Sequence, residues 1–152
     1  MIAFDTDVLV HAADLHNPLG RRVAVLFDVD PEASPFVGTG SVLLLPEVLT
    51  TPLRTGDADE QLTLISYLGR IELVPVDAAT AQLGLSLAVD YGLRAADAIH
   101  LATAVNGSAD QFLTNNRKDF PKSIVEIDIL YPDDLPEPPE GAETPDKPTE
   151  GA

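Results

Sequence analysis

Apolar and polar positions run along this chain in blocks, and the blocks switch between short apolar runs and longer helical stripes. "IAF" at residues 2–4 reads as a strand, and after Asp5 the segment Thr6–Ala13 reads as a helix. "GRRVAVLFDV" predicts a second helix and "PFVG" a second short strand. "SVLLLPEVLTTPLR" predicts a helix begun by Ser41, and "DADEQLTLISYLGR" an amphipathic helix. "IELVPV" follows as a strand, "DAATAQLGLSLAVDYG" as a helix ending at Gly92, and "LRAADAIHLATAV" as a helix stopping near Gly107. "QFLT" and "IVEI" supply the last two strands. Short apolar strands alternating with helices predict an α/β fold, with a parallel sheet covered on both faces and joined by right-handed crossovers.

Composition narrows this picture. A chain of 152 residues, 45% of them hydrophobic, suits one domain with a real core. It has no cysteine, which excludes disulfides and thiolate metal sites and leaves any metal to oxygen ligands or one of three histidines. "MIAFDTDVLV" is not a basic leader and no apolar run is long enough to span a membrane, so the expectation is a soluble, cytoplasmic protein. From Asp133 the chain reads "DDLPEPPEGAETPDKPTEGA", which has little to bury. The expected division is a folded domain over 1–132 and an acidic, Pro-rich disordered tail over 133–152. The net charge of −16 argues against a generic nucleic-acid binder. Arg21, Arg22, Arg54, Arg70, Arg94 and "NRK" at Asn116–Lys118 still allow a local cationic rim.

Candidate chemistry gathers where such folds place it, beyond the carboxyl ends of the strands. Asp5 follows the first strand, Glu47 lies in the helix after the second, and "TNNRKD" at Thr114–Asp119 follows "QFL". Asp97 shares a helical stripe with Leu93, Ala96, Leu101 and Ala104, so its carboxylate is expected to face packing. Two carboxylates about 5 Å apart at an effective dielectric near 20 repel by roughly 3 kcal/mol, so Asp5, Glu47 and Asp97 converge only if protonated or bridged by a cation. All-oxygen ligation suits Mg²⁺, with Mn²⁺ as a substitute. Each residue also has a plainer reading. Asp5 and Asp7 are good helix caps, Glu47 alone is a solvated helix residue, Asn116 and Asp119 can cap a turn, and His100 reads as a packed histidine.

"FDTDVLV", "LLPEVL", "AADAIHLATA" and "FLTNNRKDF" stand in the order and spacing found in PIN-domain ribonucleases, and over residues 1–132 the chain resembles most closely the VapC-type toxins of bacterial type II toxin–antitoxin pairs. The resemblance implies a three-layer α/β/α sandwich and Mg²⁺-dependent endonucleolytic cleavage of RNA. It assigns Asp5 and Asp97 to metal binding, makes Glu47 the acid that orients metal or water, and puts the fourth catalytic position at Asn116 with Asp119 nearby. It gives substrate contacts to Thr6, Thr114 and Arg117. Partners implied are RNA, a small antitoxin that covers the active site and, as an option, a second copy in a homodimer; no membrane is involved. Alternatives are a housekeeping PIN-domain RNA-processing nuclease, an inactive PIN-like binding module and, more remotely, a haloacid-dehalogenase-like phosphatase suggested by "DTD" and the late pair Asp133–Asp134.

Overall fold

The computed structural model describes residues 1–107 and 109–139. Of five strands, β1 (Ile2–Phe4), β2 (Gly38–Ser41), β3 (Ile71–Val74), β4 (Gln111–Leu113) and β5 (Asp128–Leu130), the first four are joined by helices and the last two by a loop. The helices are α1 (Thr6–Ala12), α2 (Pro18–Ala24), α3 (Leu44–Thr55), α4 (Ala58–Leu68), α5 (Ala78–Tyr91) and α6 (Ala95–Asn106). The strands form one sheet in the order β3-β2-β1-β4-β5, every neighbouring pair parallel. Among the described residues no helix is long and apolar enough to cross a membrane.

Successive side chains of a strand point to opposite faces, and each face here has its own core. Ala3 and Phe112 join Leu87, Leu93, Ala98 and Leu101 beneath α5 and α6. Phe4 and Leu113 join Val8, Leu9, Val23, Leu44, Val48 and Leu64 beneath α1 to α4. That is the expected three-layer α/β/α arrangement. Local signals end the elements sharply: the Asp77 side chain accepts from the Thr80 amide at 2.8 Å to start α5, and Gly92, at φ 66°, closes it in the left-handed conformation that favours glycine.

Five expectations shift, the first being the third helix, which begins at Leu44 and not at Ser41; Ser41 ends β2 and accepts from the Leu43 amide. The second strand is not "PFVG" but "GTGS", a buried strand without a large side chain. A Cβ on Gly38 would stand 2.4 Å from the Phe4 ring, so the small residue lets that ring fill the core, and hydrophobicity alone cannot reveal the strand. The fifth strand moves from "IVEI" to Asp128–Leu130, because its ladder pairs Gln111 with Asp128 and Leu113 with Leu130; Val125 is left exposed in the approach. The second helix starts earlier, at Pro18, where the Asn17 side chain accepts from the amides of Leu19 and Gly20, and after Ala24 it tightens to a 3₁₀ turn over Val25–Phe27. Packing also continues past Pro132. Pro132–Asp134 form a 3₁₀ turn, Leu135 is buried in the α1–α4 core, and Arg22 donates to the carbonyls of Asp133 and Leu135. Of the tail expected over 133–152, residues 140–152 lie outside the described residues.

Candidate active site

Strand order reverses between β1 and β4, and the chain leaves both strands at the same edge of the sheet. A crevice beyond carboxyl ends at such a switch point is where open α/β sheets bind ligands. Here it is a cavity of about 500 Å³ whose wall includes Asp5, Asp7, Glu47, Asp97, Asn116 and Asp119. Every expected catalytic residue is thus brought together. Asp97 turns its half-buried carboxylate to this cavity and not into packing, and Ala96, expected beside it in the core, is exposed.

Asp5 is both a cap and a site residue. It is 5% exposed; one carboxylate oxygen accepts from the Thr6 amide at 2.9 Å and the other from the Thr114 hydroxyl at 2.8 Å. Burial, reinforced by the Asp7 charge, pushes its pKa up to about 6 against the pull of His100 and these two donors. Burial likewise raises Asp97, with Asp119 and Glu47 adding like charge and His100 and Arg94 opposing it. Among the described residues Asp97 accepts no hydrogen bond, so both its oxygens are open. Burial raises Asp7 too, and its carboxylate accepts from the Asn115 amide at 3.3 Å. Asn116 and Asp119 hold each other through reciprocal bonds of 2.8 and 3.2 Å, which leaves one Asp119 oxygen unengaged among the described residues.

Glu47 behaves differently. The His100 Nε2 meets its Oε2 at 2.8 Å and the Thr6 hydroxyl donates to the same oxygen. The His100 hydrogen bond lowers the Glu47 pKa, overcoming partial burial. With both donors on Oε2, Oε1 has no protein partner among the described residues. His100 itself is 2% exposed, and its Nδ1 is buried without a hydrogen-bond partner among the described residues. Burial opposes its protonation, but the Glu47 hydrogen bond and the charges of Asp5, Glu47 and Asp97 outweigh it and raise the pKa.

The three expected substrate contacts fare unevenly. Thr6 lines the cavity with its hydroxyl committed to Glu47. Thr114 is 0% exposed: its hydroxyl donates to Asp5 and accepts from the Asn116 amide, so the structure places it behind the acids. Arg117 is not in the cavity wall. It pairs with Asp133 and lies over the Tyr131 ring, 4.4 Å from its centroid. Asp133 and Asp134 bind Arg117 and Lys122 there and are not brought to Asp5 as a phosphatase pair would be. Sequence reasoning did not assign His100, Asp7, His11 or Arg94 to the site. His11 also lines the cavity, with its Nδ1 bonded to the side-chain Nδ2 of Asn115. The helical spacing of Asp7 and His11 on α1, and of Arg94 and Asp97 one turn apart, was the available signal.

Among the described residues, no three acid or histidine side chains are arranged to hold a metal ion by themselves. A hard dication such as Mg²⁺ does not need that: it is usually held by one or two carboxylates and retains several waters. Asp5 and Asp97, whose proton affinities are raised, fit that donor set.

A PIN domain family model matches residues 2–123. The chain belongs to the PIN domain family. PIN domains are in general nucleases that use divalent metal ions. A toxin–antitoxin complex from Klebsiella pneumoniae contains a chain similar to this PIN domain, with TM-score 0.64 and 26% identity over 87% of this chain and 98% of that one. VapBC2 from Rickettsia felis, bound to a DNA fragment from its promoter, contains a chain that shares the fold, with TM-score 0.64 and 19% identity over 86% and 98% of the two chains. No curated protein matches the sequence.

Proposed function

We propose that this PIN domain is a Mg²⁺-dependent endoribonuclease and the toxin of a toxin–antitoxin pair. The observation that carries the reading is the convergence of Asp5, Glu47, Asp97 and Asp119 in one cavity at the switch point of the sheet, with raised pKa values on the two that would hold the metal. A dication held by Asp5 and Asp97, with Mn²⁺ as a substitute, would neutralise phosphate charge and lower the pKa of a water. Thr114 and the Thr6 amide orient Asp5 for that task. Glu47 stays ionised at neutral pH, and its open Oε1 is free to orient a water or accept its proton. Asn116 fixes Asp119 in the cavity wall, where its open oxygen adds a further acceptor.

The partner reading is supported by the toxin–antitoxin neighbour from Klebsiella pneumoniae. An antitoxin that places an Arg or Lys side chain against Asp5 and Asp97 would relieve their repulsion and block substrate together.

The test is cleavage of a mixed RNA pool with Mg²⁺, with EDTA, and by Asp97→Asn. Cleavage is expected only for the unaltered chain with metal; chelation and the substitution each bring it to background. Cleavage that survives EDTA or Asp97→Asn would refute the metal assignment.

A further inference from the structure

We infer that Arg94 is the residue through which this cavity grips a phosphate of its RNA substrate, an assignment that rests on the nuclease reading above. The wall carries five carboxylates, and Arg94 is the one Lys or Arg side chain in it among the described residues. A phosphodiester approaching Asp5, Asp7, Glu47, Asp97 and Asp119 meets like charge on every side. A dication held by Asp5 and Asp97 would offset part of that charge at one phosphate; the adjoining RNA backbone needs a cation of its own.

Among the described residues Arg21, Arg54 and Lys118 also make no ion pair or side-chain hydrogen bond, but they do not line the cavity; four other basic side chains are held in place by the protein. Arg117 is paired with Asp133 and stacked on Tyr131. Lys122 binds Asp134 at 2.6 Å. Arg22 serves the Asp133 and Leu135 carbonyls, and Arg70 donates to the carbonyls of Phe27, Val29, Ser34 and Pro35. Arg94 contrasts with all four: it is exposed, and among the described residues its side chain makes neither an ion pair nor a hydrogen bond. It immediately precedes α6, one helical turn before Asp97, so its guanidinium and the Asp97 carboxylate are carried by the same helix start. A counterion for Asp97 alone would close the pair. Here the guanidinium remains free, and its planar fork matches two oxygens of a phosphate.

The test is steady-state cleavage of a single-stranded RNA by the full chain across a range of salt, with melting temperature as a check on folding. Arg94→Ala is expected to raise KM about tenfold or more with kcat nearly retained, and to reduce the slope of log KM against log salt by about 0.7, the value for one phosphate contact on a single strand. Arg94→Lys is expected to restore the salt slope and only part of the KM, because it keeps the charge and loses the fork. Arg117→Ala, tested in parallel, is expected to raise KM less than Arg94→Ala. An unchanged KM in Arg94→Ala, or a larger effect from Arg117→Ala, overturns the assignment while the nuclease reading stands. A folded, unaltered chain that cleaves no RNA with Mg²⁺ or Mn²⁺ overturns both.

Discussion

In the cavity at the edge of the sheet, carboxylates face carboxylates; in the C-terminal turn around Tyr131, acids face bases. Asp5, Asp7 and Asp97 all have raised pKa values in the cavity. Around the turn, Asp133 and Asp134 have lowered ones, because Arg117 and Lys122 donate to them. The two regions are joined by the short segment from Thr114 to Tyr131, so the contrast is local and not a consequence of the overall negative charge. Burial leads each of the cavity shifts, and for Asp5 and Asp97 neighbouring carboxylates add to it, which supports the proposal that a cation or a cationic partner enters there. The turn needs no ligand to be at rest.

The most severe way to break this contrast is Asp5→Asn, which should abolish cleavage. It should also change how stability depends on pH without metal. Asp5 keeps its proton to about 6 in the folded chain, against the ordinary 3.8, so between those values the native state binds more protons than the unfolded one. Its contribution is therefore fully present below 3.8, declines as pH rises and is lost above about 6, a change of up to about 3 kcal/mol. In urea titrations with EDTA at pH 4 and pH 7, Asp5→Asn should show a flatter dependence and hold or gain stability at pH 7. Unchanged pH dependence would mean that the cavity carries no such penalty.

A smaller effect is expected when the relief inside the cavity is removed. His100→Leu takes away the donor that holds Glu47 but leaves every acid in place, and cleavage should fall about 10- to 100-fold. His100→Gln, which can still donate to Glu47, should recover part of it. Equal activity in all three chains would show that Glu47 needs no anchor.

The smallest effect belongs to the turn. Arg117→Ala and Asp133→Ala should each shift the melting temperature only slightly, and less again at high salt, because the pair is exposed and screened. A large loss from either would make the turn a structural lock and not a resting surface.

Much of this architecture was legible in the chain. β1, α1, α5 and α6 show clean apolar periods bounded by Asp5, Asp77, Gly92 and Gly107, and the ordered acids pointed to one site. What stayed hidden depends on partners distant in sequence. β2 is held as a strand by its ladders to β1 and β3, and needs glycine at position 38 because the Ile2 carbonyl and the Phe4 ring leave no room for a Cβ, facts invisible in "GTGS" itself. His100 read as a packed histidine, which it is; its second role appears only because α3 brings Glu47 to its ring. Arg117 looked well placed because it neighbours Asn116, but Asp133 and Tyr131 lie on its other side.

The position of β1 has a kinetic consequence. The first strand made is the middle one of the sheet, hydrogen-bonded to β2 on one side and to β4, more than a hundred residues later, on the other. Asp5 acquires its Thr114 donor only when that later strand docks. At ribosomal rates of roughly 5 to 20 residues per second, the interval between the two is roughly 5 to 20 s. Until β4 docks, Asn116 and Asp119 are not yet in place and the cavity is not assembled, so a nuclease built this way would stay inactive while it is being made.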